Sequence, residues 1–170
     1  MIPLVKPYIA PKAELMPALE KTLYSGYIAM GDAVDNFEQQ LGAYIQNENV
    51  LALNSGTAAL HIALLLLGVG PGDEVISTPM TAEPTNTTIA ITGAKVVWGD
   101  VNPATGLLDP ESVRSKITPR TKAIMLVHYA GMVCDMDAFN RLSKETGIPV
   151  IEDAAHAFGV RVKDRGIGSF

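Results

Sequence analysis

Residues 123–128 read Ala-Ile-Met-Leu-Val-His, an apolar run with no polar alternation. Such a run is expected of a strand buried on both faces, and parallel sheets covered by helices on both sides are where such strands occur. Strand and helix signals should therefore alternate around it, and they do. Downstream, residues 135–146 carry a helical pattern closed by Gly147, and 149–152 form a second apolar strand. Upstream, 74–77 and 95–98 are short strand candidates separated by 85–92, and 57–67 is a helical pattern stopped by Gly68 ahead of the turn Pro71-Gly72-Asp73. Residues 50–53 are apolar and predict a further strand ending at Asn54-Ser55-Gly56. Leu15, Leu19 and Leu23 share one face of a helix over 13–24, within which Pro17 is an alternative first turn. Val34, Phe37, Leu41, Tyr44 and Ile45 define another helix, with Asp32 as its N-cap. Residues 160–166 read as a hairpin around Lys163 and Arg165. The pattern predicts an α/β fold with a mostly parallel sheet flanked by helices, in a single domain over 1–170.

Composition agrees with that class. The 170 residues are 48% hydrophobic and 18% charged, the balance of a folded globular chain. A net charge of −5 argues against non-specific nucleic-acid binding, which rests on a basic surface. The single cysteine, Cys134, excludes an internal disulfide framework, and no Cys/His spacing suggests zinc. The longest apolar run, 62–69, is too short to span a bilayer, and residues 1–10 carry no secretory pattern, so the expected address is the cytoplasm without membrane attachment.

In parallel sheets ligands bind at the carboxyl ends of the strands, so the residues just after each strand are the candidates. Ser55-Gly56-Thr57 opens directly into a helix. Free N–H groups there, a glycine that admits close approach and two hydroxyls suit a phosphate, although a plain serine N-cap explains the same residues. It is neither a Walker loop nor a dinucleotide fingerprint. After the strand at 149 comes Glu152-Asp153-Ala154-Ala155-His156. A carboxylate at that strand end, beside small residues, could hold a ring nitrogen protonated, with His156 bonding a second polar atom; a structural aspartate capping the next turn is the alternative. His128, after the strand at 123, is either a third member of the pocket or a satisfied structural histidine. A phosphorylated aromatic heterocycle would use all three positions, and pyridoxal phosphate is the obvious one.

At this point the chain resembles the DegT/DnrJ/EryC1/StrS sugar aminotransferases, pyridoxal-phosphate enzymes of fold type I acting on nucleotide-linked keto sugars. The resemblance rests on GDAVDNFE at 31–38, NSGTAAL at 54–60, GPGDEVISTP at 70–79, ITPRTKA at 117–123, HYAG at 128–131 and EDAAHAFG at 152–159. It implies that Ser55, Gly56 and Thr57 hold the cofactor phosphate and that Asp153 pairs with the pyridinium nitrogen. It also implies that His156, standing where the family often has glutamine, bonds the ring hydroxyl, that His128 sits in the same pocket, and that the segment near Gly31 lies at a homodimer interface. The implied partners are a nucleotide sugar and an amino donor such as glutamate.

Two departures accompany the resemblance. The family often places an aromatic residue in the loop after Thr78-Pro79, where residues 80–84 here read Met-Thr-Ala-Glu-Pro. The lysine that forms the Schiff base would stand about a dozen residues beyond Phe170, so no residue of this chain takes that role and Lys163 comes too early. The chain is therefore expected to be the amino-terminal part of the cofactor-binding large domain of a longer enzyme, without the small carboxy-terminal domain and inactive alone. The strand at 50–53 would then lack its neighbours and leave an exposed edge. A sugar dehydratase, with histidine at the lysine position, a non-catalytic binding remnant and a simple nucleotide binder are the alternative readings.

Overall fold

The computed structural model describes residues 7–163 and 165–168. They divide into two compact units. One comprises the described residues up to Ala43 with Glu48–Ala52, and the other comprises Tyr44–Asn47 and the described residues from Leu53 onward.

In the first unit, α1 (Lys12–Tyr24) starts behind Pro11, whose carbonyl accepts the N–H groups of Glu14 at 2.9 Å and Leu15 at 3.0 Å. Pro17 thus lies inside the helix and does not mark its first turn. The leucine stripe does not become a buried face: Leu15, Leu19 and Leu23 are all exposed, and no residue of α1 is buried. Helix α2 (Asp32–Ile45) begins one residue earlier than a capping Asp32 requires. The carbonyl of Gly31 accepts from Val34 and Asp35, so Gly31 takes the cap position and Asp32 is the first helical residue. Asp32 and Asp35 still favour the helix, because carboxylates in the first turn complement its dipole. The strand expected at 50–53 does not form. Glu38 Oε1 accepts the Ala52 N–H at 2.7 Å, and no ladder reaches the segment. A strand exists only through its neighbours, and Leu51 is left 68% exposed.

The second unit holds the sheet. Strands β1 (Glu74–Ser77), β2 (Lys95–Trp98), β3 (Thr121–Val127) and β4 (Val150–Asp153) are all parallel, in the order β2-β1-β3-β4. Helices α3 (Gly56–Leu66) and α4 (Glu83–Ile91) cover one face. Their Leu64 and Ile89 pack on Val75, Ala123 and Met125. Helices α5 (Pro110–Lys116) and α6 (Met136–Thr146) cover the other, where Val113, Phe139 and Leu142 pack on Ile76, Ile124 and Leu126. The run at 123–128 therefore does sit between two apolar layers. Helix α6 shows why its boundaries were legible: Asp135 Oδ1 accepts the Ala138 N–H at 2.9 Å, and Gly147 ends the helix at φ 74°, a conformation that favours glycine. Helix α5 escaped the pattern reading, although Asp109 followed by Pro110 is an N-cap and first-position pair, and Asp109 Oδ1 accepts from Glu111 at 3.0 Å. Strands β5 (Arg161–Val162) and β6 (Arg165–Gly166) pair antiparallel, as the expected hairpin requires; Asp164, within the span of that expectation, lies outside the described residues.

Topology fixes where a ligand can go. The chain leaves β1 towards β2 through α4, and leaves β3 towards β4 through α6, in opposite directions across the sheet. This makes a switch point between β1 and β3, with a crevice at the carboxyl edge. Helix α3 precedes β1 and α4 follows it, each running back along the sheet, so the amino termini of both helices lie at that edge.

At the opposite edge, buried Glu74 ties β1 to the turn before β3. Thr118 donates to its Oε2 at 2.6 Å, and Arg120 donates to Oε1 from Nη2 at 2.8 Å and Nε at 3.2 Å. These contacts, the Thr118 hydroxyl first and then Arg120, hold the carboxyl below the ordinary glutamate range. A lowered folded pKa gives stability that is complete above the unfolded value and lost as pH falls through the folded one. Glu74→Gln should therefore lower stability near neutral pH and flatten its decline in acid. Urea midpoints across that range check this, and parallel acid curves for the two proteins would refute it.

Candidate functional site

Side-chain alternation along β3 and β4 sorts the candidates onto two faces. Ile124 and Leu126 face α5 and α6, whereas Ala123 and Met125 face α3 and α4. The register pairs Leu126 with Glu152 and Val127 with Asp153. Glu152 thus shares the α6 face and Asp153 the α3–α4 face.

On the α3–α4 face, Asp153 closes β4 with both carboxylate oxygens engaged. Oδ2 accepts the Thr85 hydroxyl at 2.7 Å, and Oδ1 accepts the Ala155 N–H at 3.2 Å. Thr85 is 1% exposed on the first turn of α4. Its hydroxyl has one proton, given to Asp153, so at the 2.8 Å contact between Thr81 and Thr85 it is Thr81 that donates. The loop carrying Thr81 is braced by the Thr78 hydroxyl, which accepts from Met80 N at 3.0 Å, and by Asn86 Nδ2, which donates to the Thr78 carbonyl at 3.0 Å. Sequence reasoning searched this loop for an aromatic and passed over Thr81 and Thr85. The available signal was a run of hydroxyl residues, Thr85, Thr87 and Thr88, on a helix otherwise built to pack against a sheet.

The amino terminus of α3 completes this edge. Ser55 is the N-cap, and its Oγ accepts the Ala58 N–H at 3.1 Å while its carbonyl accepts from Ala59 at 3.1 Å. The N–H groups of Gly56 and Thr57 then lack an acceptor within the helix, as first-turn donors do. Ser55, Gly56 and Thr57 are all exposed, and a Cβ added at Gly56 would meet no atom within 4 Å. Both readings of Ser55-Gly56-Thr57 are thus compatible: the serine caps the helix, and two backbone donors of its exposed first turn have no partner within the helix.

His156 is exposed. Its Nδ1 accepts the Ala130 N–H at 3.3 Å, and its ring meets Tyr129 edge-on with centroids 5.6 Å apart. That places the remaining ring proton on Nε2, free to donate. His128 is not brought to this cluster. It is fully buried on the α6 face, its Nδ1 accepts the Cys134 N–H at 3.2 Å, and its Nε2 meets Glu152 Oε2 at 3.0 Å. Because Nδ1 accepts, Nε2 carries the proton and donates to Glu152, whose Oε2 also accepts from Gly168 N at 3.3 Å. Beside it, burial pushes the Cys134 thiol up to about 12, and its Sγ donates to the Val127 carbonyl at 3.3 Å. This thiol is a packing group, not a nucleophile.

The exposed amino terminus of α3, a carboxylate held by two hydrogen bonds and an exposed imidazole thus share the carboxyl edge of a parallel sheet. The donor set fits pyridoxal phosphate: backbone and hydroxyl donors for the phosphate, and a carboxylate for the ring nitrogen. Among the described residues no group of three or more His, Cys, Asp or Glu side chains could hold a metal ion, and no helix is long and apolar enough to cross a membrane.

The fold is that of the fold-type-I pyridoxal-phosphate aminotransferases. The 3-amino-5-hydroxybenzoic acid synthase structure superposes with a TM-score of 0.89 at 40% identity, over 99% of this chain and 44% of that one. The PLP form of the putative sugar aminotransferase Spr1654 from Streptococcus pneumoniae superposes with a TM-score of 0.91 at 34% identity, over 99% of this chain and 46% of that one. The chain belongs to the DegT/DnrJ/EryC1/StrS aminotransferase family, which it matches over residues 10–170. The spore coat polysaccharide biosynthesis protein SpsC of Bacillus subtilis (strain 168) is 43% identical over 166 residues, covering 96% of this chain and 42% of SpsC. The chain thus spans less than half the length of each of these relatives.

Proposed function

We propose that this chain forms the amino-terminal part of the cofactor domain of a pyridoxal-phosphate-dependent aminotransferase that moves an amino group, from a donor such as glutamate, onto a nucleotide-linked keto sugar. The observation that carries this reading is the Asp153 carboxylate, held by Thr85 on the same sheet face and edge as the open amino terminus of α3. Gly56 and Thr57 would bind the phosphate through N–H groups, with the Ser55 and Thr57 side chains beside them. Asp153 would hold a proton on the ring nitrogen, because an adjacent negative charge favours the protonated form. His156 Nε2 would donate to the ring hydroxyl. His128 lies on the opposite sheet face, bonded to Glu152, and has no place at the ring in this reading. When bound, pyridoxal phosphate supplies an electron sink for charge developing at the carbon that carries the amino group. The lysine that completes the chemistry belongs, on the family resemblance, about a dozen residues past Phe170. In that reading the protein acts as a homodimer in the cytoplasm.

Equilibrium dialysis of the 170-residue chain against pyridoxal phosphate and against pyridoxal tests this. The phosphate should raise affinity at least about tenfold, since hydrogen bonds to a charged group contribute roughly 1.5–3 kcal/mol. The same chain, given glutamate, a nucleotide-linked keto sugar and the cofactor, should form no 2-oxoglutarate. Equal affinity for the two compounds, or no saturable binding, would overturn the site; 2-oxoglutarate above the blank would overturn the need for a longer chain.

A further inference from the structure

We infer that Thr85 is a positioning residue for the cofactor's ring nitrogen, acting through Asp153; the inference rests on the proposed cofactor site and adds a residue to it. Three observations carry it. Thr85 is 1% exposed, although its side chain is polar and lies on a helix face packed against the sheet. Its hydroxyl does not turn back to its own helix, the common local use of a helical threonine, but crosses to Asp153 Oδ2 at 2.7 Å, 68 residues away in sequence. The bond also has a direction. A carboxylate oxygen only accepts, so the single Thr85 proton goes to Asp153 and the contact with Thr81 is one that Thr85 accepts. Thr88 completes the brace by donating from its hydroxyl to the Thr85 carbonyl at 2.9 Å.

The consequence is geometric. A carboxylate on the last residue of an outer strand rotates freely about its side-chain torsions unless something holds it. Here Thr85 holds Oδ2 and the Ala155 N–H holds Oδ1. The carboxylate plane is then set by α4 and by the turn after β4 together, and the remaining lone pairs keep one direction. Functional groups are held in productive geometry by such supporting bonds.

The test compares the unmodified chain with Thr85→Val, which keeps the shape and removes the hydroxyl, and with Thr85→Ser, which keeps the hydroxyl. Each is dialysed against pyridoxal phosphate and against its 1-deaza analogue, in which carbon replaces the ring nitrogen. Thr85→Val should weaken binding of pyridoxal phosphate about tenfold, while Thr85→Ser stays within about threefold of the unmodified chain. Binding of the deaza analogue should be the same in all three, because it offers Asp153 no ring nitrogen. A parallel loss for both compounds would make Thr85 merely structural and overturn the inference. So would unchanged affinity of Thr85→Val for pyridoxal phosphate while Asp153→Asn weakens it. Absence of binding by the unmodified chain would instead overturn the cofactor site itself. Should Thr85→Val lose its cooperative melting transition, Thr85→Ala, which removes the same hydroxyl without forcing a branched apolar group against the carboxylate, gives the decision by the same comparison of the two compounds.

Discussion

Phe139→Ala should destabilise the sheet-bearing unit by about 3–5 kcal/mol, the range for deleting a buried aromatic side chain. Phe139 is fully buried on α6 and joins Leu142 and Val113 against Ile76, Ile124 and Leu126. Two terms add: the lost transfer of the ring out of water, and the cavity left because α6 is anchored at both ends. Asp135 caps its start and Gly147 its end, so the helix cannot slide to fill the gap. A domain of this size has roughly 5–15 kcal/mol of stability in all, so the variant should lose a substantial fraction of it. Urea denaturation gives the result directly, as a lower midpoint with an unchanged slope. Phe139→Leu, which retains most of the volume, should lose far less. A shift below about 1 kcal/mol for the alanine variant would mean that this layer is not packed as described.

Asp153→Asn should weaken pyridoxal phosphate binding by about ten- to a hundredfold while costing no more stability than one hydrogen bond, about 1 kcal/mol. The amide is the same shape as the carboxylate and its oxygen can still accept from Thr85, but its nitrogen cannot accept the Ala155 N–H as Oδ1 does. What it lacks is the negative charge that favours a proton on the ring nitrogen. Discrimination between pyridoxal phosphate and pyridoxal should survive, because the phosphate is read at Gly56 and Thr57 and not at Asp153. Dialysis of the variant against both compounds separates the two ends of the site. Unchanged affinity for pyridoxal phosphate would remove Asp153 from it.

The site was legible where one strand end or one helix start carried the chemistry. Ser55-Gly56-Thr57 could be read as a helix terminus because capping is local, and Asp153 because it ends an apolar strand. Thr85 was not legible. Its role depends on a residue 68 positions away, and that partner is set by which strands lie side by side. His128 shows the same limit. It follows a strand as Asp153 ends one; the local sequence left open a pocket member or a satisfied structural histidine, and the family resemblance implied the pocket. Side chains alternate with a period of two, so which face each takes depends on the register, here Val127 opposite Asp153. That register turns Asp153 towards α4 and leaves His128 on the α6 face, bonded to Glu152.

The same division runs through the fold. The sequence by itself determined the parallel α/β class and the ends of α6, because an unbroken apolar run, a capping aspartate and a left-handed glycine act through their own neighbourhoods. The tertiary structure decided that 50–53 is not a strand, that the leucine stripe of α1 stays exposed, and that a threonine from one helix sets the orientation of the carboxylate closing β4. Those outcomes depend on partners: a strand needs an adjacent ladder, an apolar stripe needs a surface to cover it, and a hydroxyl needs an acceptor that only the assembled sheet brings within reach.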